Sequence, residues 1–236
     1  MSNAVYATLS RQQGLMREMQ VVANNIANAN TTGFKSDRAV FTEYIAATGP
    51  STPSLSMGNL GAHAFRFEQG AIETTGAPLD LAIGAEGFFV IETPDGERLT
   101  RAGHFQLNDA NTIVNAAGNV LMDTVSNPIV VPDGGDIQVG RDGSVISGGA
   151  VIGQIAVVTA NGELGRGSNT DFIAPGGFAA VDEPHVLQGS LEQSNVAPVL
   201  EIARMIEVQR AYEASQSILE REDQRISQLI TATRER

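Results

Sequence analysis

Along residues 5–26, apolar or bulky side chains recur at Val5, Leu9, Gln12, Met16, Met19, Ala23 and Ile26, an alternating four–three spacing with one polar break. Heptad spacing of this kind puts the set on one stripe of a helix and predicts that the stripe is covered. The helix is expected from about Ser2 or Asn3 to Ala29, with Gly14 inside it at a cost of about 1 kcal/mol relative to Ala. Leu15 and Val22 form a second apolar row, which implies contact with more than one neighbour. The other end of the chain repeats the pattern: Met205, Tyr212, Leu219 and Ile226 recur every seventh residue, flanked by Ile202 and Ile230. Between those flanks, Gln209, Gln216 and Asp223 occupy heptad positions, where polar residues weaken a simple dimer seam and set register. Asn195 is the expected cap, and Pro198 suits a first turn, where its missing N–H is not needed. No Gly or Pro follows Pro198, so a helix of roughly 55 Å is predicted. A small domain cannot cover that length, so much of it has to pack on the first helix or on other subunits.

Between these ends the pattern changes from heptads to alternation and turns. Twenty-three of the 25 glycines fall between residues 36 and 197. Leu79 to Ile83 alternates, and Gly87-Phe88-Phe89-Val90-Ile91-Glu92 has the composition of a buried strand. Pro94-Asp95-Gly96-Glu97 is a hairpin signal, returning through Arg98 to Arg101. Further turns are expected at 108–111, 117–119, 132–135 and 141–143, and a strand from Gln154 to Thr159. Such short, closely spaced strands predict an antiparallel sheet, sandwich or small barrel. Val40 to Ile45 fits a strand or a short helix, whereas Gly49 to Gly61, with Pro50 and Pro53, reads as a loop or linker. The expected fold class is α+β: paired N- and C-terminal helices forming a coiled-coil-like module, plus a central antiparallel all-β domain. The boundaries are a helix segment 1–35, a linker 36–61, a β domain 62–190 and a helix segment 191–236.

Charge sharpens this division. Residues 36–197 hold six basic and nineteen acidic residues, while 1–35 and 198–236 are near neutral, within a total of −12. Near-neutral helices pack side by side without strong repulsion, and an acidic module stays solvated outside them. No basic patch exists to hold a phosphate backbone, so nucleic acid is not an expected partner. Residues 1–20 lack a basic start followed by a continuous apolar run, and no stretch approaches a membrane span, so neither a conventional secretory signal nor direct membrane insertion is expected. There is no Cys, which removes disulfides, thiolate metal sites and thiol nucleophiles. His63, His104 and His185 are scattered without metal-ligand spacing, and Gly165-Arg166-Gly167-Ser168 has neither the Lys nor the following helix of a phosphate loop. No catalytic, cofactor or metal residues are assigned.

The segment Ala23-Asn24-Asn25-Ile26-Ala27-Asn28-Ala29-Asn30-Thr31-Thr32-Gly33-Phe34-Lys35 is the most specific in the chain. By its residues alone it is an Asn-rich helix end closing into a glycine turn. It closely resembles the N-terminal signature of bacterial flagellar axial proteins: the rod, hook and hook-associated family. Gly189 to Val196, followed by Met205-Ile206-Glu207-Val208-Gln209-Arg210-Ala211-Tyr212-Glu213, resembles that family's C-terminal signature. Gly70 to Ile83, Gly87 to Val90 and Leu99 to Phe105 resemble its shared β domain. Length points within the family to the rod proteins, and the Glu207-Val208-Gln209-Arg210 run resembles the proximal-rod type more than the distal-rod type.

The resemblance implies a tubular assembly with the helix pair lining its inner wall and the β domain outside. Partners would be copies of this chain, other proximal and distal rod subunits, and the flagellar type III export apparatus. The expected location is the flagellar basal body in the periplasmic space, reached without a cleaved signal peptide. Helices with uncovered stripes are expected to order on assembly. The function would be mechanical, transmitting motor torque toward the hook, with no cofactor. The expected assembly-interface residues are Val5, Leu9, Met16, Met19, Asn25, Ile26, Asn28, Gly33 and Phe34 at one end, and Ile202, Met205, Tyr212, Leu219 and Ile226 at the other. The competing reading, a secreted β-domain protein that binds or cleaves cell-wall polymer, is disfavoured by 5% aromatic content and the absence of Trp.

Overall fold

The computed structural model describes residues 3–46, 55–132, 136–168 and 170–234, and side-chain burial outside 3–7, 41–63, 226, 229 and 233–234. The fold mixes helix and sheet. The described helices are α1 (Asn3–Ala27) and α2 (Pro198–Arg234), one near each end of the chain. The chain forms two compact units. A helical unit combines Met1–Ala27, Ser36–Arg66 and Ala197–Arg236, and a β unit combines Asn28–Lys35 with Phe67–Val196.

In the helical unit, α1 stops at Ala27, two residues short of the expected Ala29, and the chain turns through Asn28 to Thr32. The α2 helix begins at Pro198, and Ala197, not Asn195, is its cap: the Ala197 carbonyl accepts the N–H groups of Leu200 and Glu201. Pro198 fits the first helical position, so the cap falls on the residue before it. The two helices run antiparallel, with Asn25 opposite Glu201 and Glu18 opposite Arg204. Strands Asp37–Ala46 and Leu55–Phe65 pair antiparallel into a ribbon of the same unit, with an irregularity between Val40 and Phe41. From Leu55 onward this corrects the loop reading of Gly49–Gly61: ladder hydrogen bonds use backbone groups, so small Gly and Ser side chains do not prevent pairing. Residues 49–54 lie outside the described residues.

In the β unit every strand pairing is antiparallel. The main sheet runs in the order Gly165–Arg166, Asp171–Ile173, Gly96–Thr100, Phe88–Thr93, Val120–Leu121, Ile113–Asn115, Phe105–Leu107, and Val157–Ala160 joins Phe88–Phe89 and Phe178–Ala180. The expected single strand Gln154–Thr159 is two: Ala150–Gln154 belongs to a three-stranded sheet, and Ile155 breaks off to donate its N–H to the Gly143 carbonyl. Several turns share one construction. Asn108, Asn115 and Asp123 each accept N–H groups from two and four residues ahead. This is the reason Asn and Asp mark turns in the sequence. Residues 133–135 of one expected turn lie outside the described residues. Leu81, Phe89, Ile91, Phe105, Ile113, Leu121, Val145 and Ile155 form the buried core.

Candidate assembly faces and a buried charge cluster

The buried seam between α1 and α2 is offset by one residue from the stripe most visible in the sequence. On α1, Leu15, Glu18, Val22 and Asn25 are buried at spacings of three, four and three, with Gly14 and Val21 buried beside them. On α2, Val208 and Ser215 are buried and alternate with half-buried Met205, Tyr212 and Leu219. A seam this narrow accepts polar members when each is satisfied. The Glu18 carboxylate takes two hydrogen bonds from the Arg204 guanidinium, at 2.8 and 2.5 Å. That bonding raises the Arg204 pKa above its ordinary value. Asn25 donates to the Asp37 carbonyl and accepts from the Asp37 N–H. Ser215 donates to the Ala211 carbonyl within its own helix.

The rotation leaves large apolar side chains facing out. Leu9 is 47% and Met16 53% exposed on α1. On α2, Val199, Leu200, Ile202, Ile206, Ile218 and Ile230 are all exposed. Exposed apolar side chains accumulated in this way make these faces candidates for an interaction surface. At 37 residues against 25, α2 exceeds α1 by about 18 Å. Met19 and Ile26 are half-buried beside the seam. Val5 and Ile226 sit within the helices, but their side chains lie outside the described residues.

The remaining expected interface residues are buried by the chain itself: Asn25 in the helical unit, and Asn28, Gly33 and Phe34 in the β unit. Gly33 has φ of +69°, and a Cβ there would meet the Ala102 nitrogen at 2.2 Å. Its N–H donates to the Glu192 carbonyl at 2.7 Å. Next to it lies Lys35, the only lysine among fifteen cationic side chains, with 0% exposure. Its ammonium bonds the equally buried Glu192 carboxylate at 2.5 Å and the Glu68 carbonyl at 2.8 Å. The other Glu192 oxygen accepts from Arg101 at 3.0 Å, while Oε1 also takes the Gly70 N–H at 3.0 Å. Burial lowers the Lys35 pKa against the opposing pull of Glu192, and Arg101 adds to the lowering. Arg166 donates to the Lys35 carbonyl and lies over the rings of Phe34 and Phe172. Nothing local in the sequence pairs Lys35 with Glu192; the one signal was a single lysine in an arginine-rich set.

No group of three or more His, Asp or Glu among the described residues is placed to hold a metal ion. Among the described residues, no helix is long and apolar enough to cross a membrane. His104 Nδ1 lies 2.7 Å from Asp80, whose other oxygen accepts from Thr75, so the histidine is hydrogen-bonded at the surface.

Three family models match the chain. They are described as flagella basal body rod protein over residues 6–35, flagellar hook protein FlgE/F/G D1 domain over 82–147, and flagellar basal body rod FlgEFG protein C-terminal over 187–232. The flagellar basal-body rod protein FlgF of Caulobacter vibrioides is 41% identical, covering 91% of both chains. That of Mesorhizobium japonicum is 32% identical, covering 93% of this chain and 92% of its own. The flagellar basal-body rod protein FlgG of Bacillus subtilis is 29% identical over 99% of this chain and 100% of its own.

Proposed function

That this chain belongs to the flagellar basal-body rod protein family is the premise from which we propose how it works. It is a structural subunit of the rod and not an enzyme. The proximal-rod type is the main reading, favoured by the relatives named FlgF at 41% and 32% identity. The helical unit is a coiled-coil-like module whose outward rows, Leu9 and Met16 on α1 with Ile202 and Ile206 on α2, are covered by neighbouring copies and by other rod subunits. A heterologous contact of this kind extends into a tube and does not close on itself. Its location is the rod between the membranes, reached through the flagellar export apparatus, and its work is to carry torque toward the hook. The observation that carries the reading is the set of uncovered apolar side chains on both helices of a chain with rod relatives.

The test is electron microscopy of basal bodies from a strain lacking the gene, complemented by wild type or by a Met16→Asp, Ile202→Asp double variant. Both positions are about half exposed, so the monomer keeps its fold, while assembly would bury two unpaired charges. Wild type should restore rods and the variant should not. Complete rods and normal swimming from the variant would remove these rows from the interface.

A further inference from the structure

The segment following α1 and the segment preceding α2 meet in the β unit, around one buried carboxylate. Residues 28–35 run beside residues 192–195: the Gly33 N–H donates to the Glu192 carbonyl and the Asn195 N–H to the Phe34 carbonyl. Between them the Glu192 carboxylate is held by Lys35 from one segment, by Arg101 just after strand Gly96–Thr100 and by the Gly70 N–H. Lys35 and Glu192 are 157 residues apart in the chain. Two cations facing one carboxylate, all at most 5% exposed, form an arrangement that loses its compensation when a partner leaves. From this juxtaposition we infer that Lys35, Glu192 and Arg101 form a latch. The β unit closes only when both helix-bearing segments are seated, and the latch then holds them side by side as a single stem.

The choice of lysine belongs to the same device. Fourteen of the fifteen Lys and Arg side chains are Arg, and the exception, Lys35, is fully buried. Arg101 already reaches the far oxygen of Glu192, and Arg166 covers Phe34 from the other side. A compact ammonium fits the remaining space between the Glu192 carboxylate and the Glu68 carbonyl, where a planar guanidinium fork does not. The latch stands on the geometry of the β unit; its bearing on assembly rests on the rod reading above.

The single lysine makes the latch directly readable in the full chain. An amine-reactive ester has two kinds of target, the N-terminal amine and Lys35, and peptide mass spectrometry separates them. In native wild type Lys35 should react far more slowly than the terminal amine. Glu192→Gln should raise its rate by about a hundredfold or more, with the amides of strand Phe88–Thr93 still protected from exchange. Lys35→Met guards against wholesale unfolding of that variant: it should speed exchange of the Gly33 amide while the core strand stays protected. Lys35→Arg should resemble Lys35→Met. Equal labelling of Lys35 and the terminal amine in native wild type, no change in Glu192→Gln, or wild-type Gly33 protection in Lys35→Arg would each overturn the latch. These readouts need no polymer, so they survive a failure of the rod reading. Full rods restored by Lys35→Met would overturn the latch's part in assembly alone.

Discussion

Replacing Gly33 by Ala tests whether the segment after α1 is an integral part of the β unit. Two effects act at this position. The φ of +69° is a left-handed conformation that an alanine adopts at a cost of about 1–2 kcal/mol. The new Cβ would also lie 2.2 Å from the Ala102 nitrogen and 2.3 Å from the Arg101 carbonyl carbon, both backbone atoms. Neither can swing aside as a side chain would, so the segment itself has to move. That movement gives up the Gly33–Glu192 hydrogen bond, worth about 1–3 kcal/mol when its groups stay buried, and loosens the Lys35 ion pair beside it. Gly76 supplies the control. Its φ is +79° and a Cβ there meets nothing within 4 Å, so Gly76→Ala carries the backbone cost alone. Gly33→Ala should therefore destabilise the β unit by at least about 3 kcal/mol more than Gly76→Ala. Pulse proteolysis across a urea series reads the difference. With a slope of about 2 kcal/mol per molar urea, the midpoint of Gly33→Ala should fall about 1.5 M below that of Gly76→Ala. Midpoints within about 0.3 M of each other would refute the claim that the segment is wedged against the 101–102 backbone.

Two smaller effects follow from charge. Ser144 bonds hold the Asp142 carboxyl below its ordinary value of 3.8, so its contribution to folding is present above that pH and is lost as pH falls through the lower folded value. The stability gap between wild type and Asp142→Asn, followed by urea unfolding, should narrow as pH drops below about 3.8, because the amide keeps an acceptor oxygen but not the charge. Glu18→Gln should cost about 0.5–1 kcal/mol at low salt, since the Arg204 side chain is 55% exposed and solvent screens the pair. Repeating that measurement in high salt should remove most of the difference.

The sequence made the helices and many of the turns legible because their signals are local. Heptads, the Pro94-Asp95-Gly96 turn and the Asn and Asp turn residues each act within a few positions. The seam was harder to read. Scoring Leu, Met and Ile as core favoured the Leu9–Met16 row over the second row of Leu15 and Val22, whereas the buried positions are Leu15 and Val22 with Glu18 and Asn25 between and beyond them, and Ser215 on α2. Those polar residues are acceptable there because each finds a partner: Glu18 and Asn25 find theirs on other segments of the chain, and Ser215 within its own helix. The strand Leu55–Phe65 was hidden for a related reason: its pairing is a backbone property, and its Gly and Ser content speaks of turns. The Lys35–Glu192 contact left the faintest trace, since no local pattern reaches across 157 residues.

The helical unit is built from three separated stretches, with the β unit's residues 67–196 inserted between the second and third. A ribosome therefore finishes α1 long before α2 exists, and the seam that buries Val22 and Val208 cannot form until the intervening β unit has been made. Any product cut short before Pro198 carries the first helix without its mate. Chain order thus acts as a clock and an inspection: the paired-helix unit comes into being only in a molecule in which α2 has been made.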